Sequence, residues 1–323
     1  MTTKKTDGKH SGKPPIPMTM RQLELAADID THSPTPQQVG YGHSILTATL
    51  YPAVPPAPGT DFVSKRNGSF EYMLEAGVDE ETHERDFPYG KYPRLIMAWM
   101  AKQIRSAHGH RTDTVDPETR TITIPTINRL CDEMGVGHGG KTAEAVQEQL
   151  RRLLAARISV RRRGGFSERK GNKVSQILYL PFARAIEYTD DERGRAYSGA
   201  RFILTEDAYE RLKLESAPFD TRVSEYLLAG RSVMPYDLYL WLNGSMAGLA
   251  HPVTVSWEWL YEQFGDGIAS MSRFKATFKR ALAKVLEVYP AANVSVPPRG
   301  EGVVLKPSLT SVEMRDPKHG LSR

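Results

Sequence analysis

Between Ser272 and Val288, helical spacing puts Arg273, Arg280 and Lys284 on an outward face with Lys275 and Lys279 flanking, and no carboxylate interrupts them before Glu287. Guanidinium groups fork onto a guanine edge and ammonium groups neutralise phosphate, so such a run suits contact with double-stranded DNA. A solvated helix face is the plainer reading, but solvated faces usually mix signs. A second cluster, Arg161, Arg162, Arg163, Arg169, Lys170 and Lys173, is opposed by Glu168 alone. Gly164, Gly165 and Gly171 would let that segment follow a phosphate backbone. A third group, Lys141, Arg151 and Arg152, falls on an outward helix face that also carries Glu144 and Glu148. Those carboxylates repel phosphate unless they accept a hydrogen bond from cytosine. The first group is therefore expected to read sequence, and the second to grip phosphate.

Three motifs invite a catalytic or recruiting role. Gly135-Val136-Gly137-His138-Gly139-Gly140-Lys141-Thr142 matches the phosphate-binding pattern GxxxxGK[ST]. That loop works where it leaves a buried strand and enters a helix. Here a helical stripe ending at Met134 precedes it, and no apolar strand ends in an aspartate for magnesium. The glycines instead mark a turn into a helix that approaches DNA. His108-Gly109-His110 can be compared with the paired histidines of rolling-circle nucleases, but it sits in a polar loop and the other histidines are scattered. Gln22-Leu23-Glu24-Leu25-Ala26 is similar to peptides that dock on bacterial sliding clamps, with Ala26 where those carry an aromatic residue; a local helical turn is the plainer reading. The expectation is a chain that is not an enzyme, with no cofactor and no metal.

The elements that would position these groups occur twice. Pro93 opens the run Arg94 to Ala101 and Pro235 opens Tyr236 to Leu242; in each, tryptophan (Trp99, Trp241) stands six residues after the proline. Short alternating strands follow, Thr121-Ile122-Thr123-Ile124 and Pro252-Val253-Thr254-Val255. Next come helical stripes at i, i+3, i+4, i+7: Ile127, Leu130, Cys131, Met134, and Trp257, Leu260, Tyr261, Phe264. Gly135 and Gly265 close them. A third helix then runs from Lys141 to Ala156 in one copy and from Ser272 to Val288 in the other. Hairpins follow, pairing 158–161 with 174–180 and 293–296 with 302–305. Helix, strand, helix, helix, hairpin is the order of a winged helix-turn-helix, whose third helix enters the major groove. The expected fold is α+β, with two tandem winged-helix domains over 86–218 and 219–312.

Residues 1–85 are expected to form a flexible proline-rich arm and 313–323 a tail. Pro14, Pro15, Pro17, Pro34, Pro36, Pro52, Pro55, Pro56 and Pro58 remove donors and block long helices. Of the 323 residues 40% are hydrophobic, enough for sizeable cores, and the net charge of +5 favours a polyanionic partner. Apolar runs such as Leu95–Ala101 fall far short of the roughly 20 residues a bilayer needs. The basic N-terminus has no apolar segment behind it, so no secretory signal is expected. Cys131 is the single cysteine, which excludes an internal disulfide or a cysteine-rich zinc site and fits a cytoplasmic location.

Pro88-Tyr89-Gly90-Lys91-Tyr92-Pro93-Arg94-Leu95 resembles the PYG-x-x-PR signature of RepA-type plasmid replication initiators. Similar segments follow: Gly139-Gly140 with Glu148-Gln149-Leu150-Arg151-Arg152-Leu153, then Leu204-Thr205, then Tyr236 to Leu242. Gln263-Phe264-Gly265, Val288-Tyr289-Pro290 and Leu305-Lys306-Pro307-Ser308 complete the set. The resemblance spans about 86–312 and is specific in the number and order of motifs. It implies a protein that binds repeated sequences (iterons) at a plasmid origin, helps open the duplex and recruits host replication proteins. It further implies a homodimer in equilibrium with monomer and repression of its own promoter. It offers no catalytic residues to transfer. Host helicase, initiator or sliding clamp would be reached through the N-terminal arm, which lies largely outside the resemblance. A winged-helix transcription regulator is the competing expectation.

Overall fold

Thr19 starts the first helix, α1 (Met20–Thr31), through a capping box in which its side chain accepts from the Gln22 amide and Gln22 reaches back to the cap. Ile29 is buried, with Leu25 and Ala26 packed beside it against the second of two cores. A short 3-10 turn (Pro36–Gln38) leads into β1 (Val39–Gly42). Then come β2 (Phe62–Asn67), β3 (Phe70–Glu75), β4 (Gly77–Val78) and β5 (Arg85–Asp86). The structure is a computed structural model that describes residues 19–42, 48–67, 70–78, 83, 85–137, 139–162, 176–189, 199–298 and 300–312.

The flexible arm expected over 1–85 is thus corrected for its described residues, which form a helix and strands. Pro34, Pro52, Pro55, Pro56 and Pro58 lie between these elements and Pro36 opens the 3-10 turn, while Pro14, Pro15 and Pro17 lie outside the described residues. Within β3, alternation places Tyr72 and Leu74 in the first core.

The first half continues with α2 (Lys91–Ser106), β6 (Val115–Asp116), β7 (Thr121–Ile124), α3 (Ile127–Glu133) and α4 (Gly140–Ala155). The expected hairpin follows as β8 (Arg157–Arg162) and β9 (Gln176–Pro181), with Ile158 opposite Leu180. β10 (Ala183–Thr189), β11 (Gly199–Leu204), α5 (Glu206–Leu214) and β12 (Ala217–Asp220) complete this half. All pairings are antiparallel, in the orders β2-β3-β8-β9 and β10-β11-β7-β6, while β1 pairs with β12 and β4 with β5. The hairpin is therefore flanked by β3 from the N-terminal segment, and β7 pairs away from it, with β11.

The second half comprises α6 (Thr221–Leu228), α7 (Met234–Met246), β13 (Val253–Ser256), α8 (Trp257–Phe264), α9 (Met271–Val288), β14 (Val294–Ser295) and β15 (Gly302–Leu305). Here the strand before α8 joins the hairpin, in the order β13-β15-β14. The mixed α+β class agrees with the sequence reading.

Helical spacing decides which face of α9 is buried. Phe274, Phe278, Ala281, Leu282 and Val285 point into the core, where Trp257 meets Phe278 edge-on at 5.6 Å. Ser270 caps the helix by accepting from the Arg273 amide at 3.3 Å. Ser270→Ala is expected to cost about 1 kcal/mol in urea unfolding.

The two glycines expected to end the second helices act differently. Gly135 adopts φ +70°, the left-handed region that favours glycine. A Cβ on Gly265 would lie 2.4 Å from the Tyr261 ring and carbonyl, so there the need is space.

Candidate nucleic-acid interface

Opposite its buried stripe, α9 exposes Arg273, Ala276, Lys279 and Arg280. None of these three cations has an ion-pair partner among the described residues; Arg280 Nη2 donates to Thr277 Oγ1 at 3.3 Å. The flanking lysines lean on aromatic rings instead. Lys275 Nζ lies 5.2 Å from the Trp257 ring, and Lys284 Nζ lies 5.3 Å from that of Tyr226. Lys284 was expected on the outward face but is half-buried, and burial lowers its pKa while Glu287 opposes the shift. Glu287, the nearest acid along the helix, accepts from the Tyr226 hydroxyl at 3.1 Å. The Tyr226 phenol is pushed up to about 12, chiefly by burial.

The corresponding helix of the first half, α4, is different. Lys141 and Glu144 are exposed, but Arg151 and Arg152 are partly buried and both bond Glu148, at 2.9 and 2.7 Å. Arg152 also meets Asp86 at 3.1 Å and stacks 5.3 Å from the Tyr89 ring. Gln149 accepts from the Tyr89 amide at 2.7 Å. The expected outward placement of Arg151 and Arg152 is therefore corrected: Glu148 on the same helix pairs with both, and the segment from β5 to Gly90 lies against Arg152 through Asp86 and Tyr89. Arg161 and Arg162 sit on β8, their backbones opposite Glu71 and Phe70. Arg163, Arg169, Lys170 and Lys173 lie outside the described residues.

The phosphate-loop match joins α3 to α4, so a helix precedes it as the sequence reading requires. His138 lies outside the described residues. His108 and His110 stand in an exposed turn after α2, and among the described residues no group of three or more His, Cys, Asp or Glu side chains could hold a metal ion. Cys131 is buried and unpaired with another cysteine, and burial raises its thiol pKa. In α1, Gln22 is engaged in the cap and Leu25 packs inward, whereas Leu23 is exposed. Binding as an extended clamp peptide would require this helix to unwind.

Sequence reasoning missed the groups that fix the halves against each other. Arg94 is buried in α2, and its Nε and Nη2 meet Asp237 of α7 at 2.7 and 2.8 Å. The same guanidinium donates to the carbonyls of Gly90 and Tyr51, at 2.6 and 2.7 Å. Nearby, Lys65 of β2 is buried and donates to Asp266 Oδ1 at 2.7 Å and to the Glu262 carbonyl at 3.1 Å. Gln263 of α8 donates to the Arg66 carbonyl at 2.6 Å. Asp237 was a legible signal: one carboxylate inside an apolar helix demands a buried cation or hydrogen-bond donor.

The sequence profile described as "plasmid encoded RepA protein" matches residues 87–258, more than half of the chain. No curated protein matches significantly in sequence. Among solved structures, one of RctB domains 2–3 is 12% identical, with a TM-score of 0.49, covering 84% of this chain and 99% of its own. Another of RctB domains 2 and 3 is 10% identical, with a TM-score of 0.48, covering 81% and 97% respectively. The extent of the profile match identifies the family: the chain belongs to the plasmid-encoded RepA proteins, which are plasmid replication proteins.

Proposed function

We propose that this chain initiates plasmid replication by binding repeated duplex sequences at the origin, with α9 in the major groove. The observation that carries this reading is the exposed cationic face formed by Arg273, Lys279 and Arg280 opposite a fully apolar stripe. The second half supports a winged-helix assignment through its element order and its β13-β15-β14 sheet. The first half is assigned as a modified winged helix whose hairpin is extended by β3 and β2. In this assignment the hairpin arginines hold phosphate and α9 reads bases. Replacing Arg161, Arg162 and Arg163 together by alanine is expected to weaken specific and random duplexes alike. It should also flatten the dependence of affinity on salt, measured by fluorescence anisotropy.

The proposal includes no catalysis, metal or cofactor. Duplex opening, a monomer–dimer equilibrium and recruitment of a host helicase, initiator or sliding clamp belong to it. Exposed Met20 and Leu23 on α1 offer apolar side chains to such a partner. A footprint of the purified protein over DNA surrounding its coding region tests initiation against transcriptional regulation. Evenly spaced protected repeats, with opening or helicase loading at them, are expected. A single palindrome without opening would favour a regulator or autorepressor.

A further inference from the structure

A cavity of about 490 Å³ lies where the two halves and α1 meet, a volume suited to a small organic ligand. Its walls include Leu95 and Trp99 of α2, Val136 of the α3–α4 connection, and Phe219 and Leu228 beside and within α6. Most of its charges are already matched. Arg21 meets Glu225 at 2.6 Å, Arg222 meets Asp28 at 2.7 Å and Asp220 at 2.9 Å, and Glu133 meets Arg129 at 2.7 Å.

Three lining residues break this pattern. Lys102 is half-buried, donates to the Gln37 carbonyl and has no ion-pair partner among the described residues. Ser224 and Tyr236 are 4% and 0% exposed, and their hydroxyls have no hydrogen-bond partner. Sealed hydroxyls and an unmatched cation are costly to keep unless something pairs with them. Burial lowers the pKa of Lys102, consistent with a cation short of compensation, and the charge of Glu133 opposes that shift.

We propose that this cavity is a binding site for a small amphipathic carboxylate. Lys102 takes the carboxylate, the aromatic and aliphatic walls hold the apolar body, and small side-chain adjustments let Ser224 or Tyr236 bond its polar edge. Lys91, the other lining cation without an ion-pair partner among the described residues, lies 5.2 Å from the Tyr92 ring, so a single ammonium is left to take one carboxylate. The inference does not depend on the DNA-binding reading.

The test is calorimetric titration of the full chain with 2-naphthoate and with its uncharged counterpart, 2-naphthol. Saturable binding of 2-naphthoate, about tenfold or more tighter than 2-naphthol, is expected. Lys102→Met should abolish that preference and Lys102→Arg should restore it, with unchanged circular dichroism spectra confirming the fold of both. Ser224→Ala should weaken both probes. Absence of saturable binding, or a carboxylate preference that survives in Lys102→Met, would overturn the proposal.

Discussion

Asp237→Ala will lower the unfolding free energy by about 3–5 kcal/mol, because it leaves the Arg94 guanidinium charged, buried and short of its carboxylate. Arg94 is 1% exposed and Asp237 is 6% exposed, so water cannot replace the lost partner without opening the junction between α2 and α7. The bidentate contact, at 2.7 and 2.8 Å, is the kind of geometry that offsets the desolvation of both ions. Burial raises the Asp237 pKa; Arg94 opposes the shift through its charge and hydrogen bonds, and Lys65 opposes it through its charge. Chemical denaturation of wild type, Asp237→Ala, Arg94→Met and the double variant measures the coupling. The double variant should recover part of the loss, since it leaves no unpaired charge. Strictly additive losses would show that the pair does not act as a unit.

Arg280→Ala is expected to reduce affinity for the specific site by about 1–3 kcal/mol while changing affinity for random duplex far less. Arg280 is exposed in the middle of α9, and its position is fixed by the burial of Phe278, Ala281 and Leu282 around it. Lys279→Ala should instead weaken both duplexes by similar factors if its ammonium faces phosphate. Lys284→Ala should affect DNA least of the five cations, because Tyr226 and burial already hold that side chain. Anisotropy titrations at several salt concentrations separate these cases. Equal losses on specific and random DNA for Arg280→Ala would contradict its assignment to base readout.

The second half was legible because each element carries a local signal. Phe274, Phe278, Ala281 and Val285 repeat with helical spacing, Ser270 and Gly265 bound the helices, and Val294 and Val303 mark the hairpin. The long-range partners of the first half carry no such signal. Nothing local to Tyr72 and Leu74 shows that β3 pairs with β8, yet Met73 lies opposite Ser159. Glu148 with Arg151 and Arg152 was legible in part, because spacings of three and four residues bring charges together on a helix. The contribution of Asp86 and Tyr89 was not, since each comes from a distant segment laid along α4. Lys65 likewise reads as an ordinary surface cation until α8 covers it.

The most direct test uses a photo-crosslinking residue at position 276, which lies exposed on α9 among Arg273, Lys279 and Arg280. Crosslinks from position 276 to a major-groove base within each protected repeat are predicted, with none from a control at exposed Val253. A chain that protects its repeats but crosslinks from position 253 and never from 276 would contradict the account.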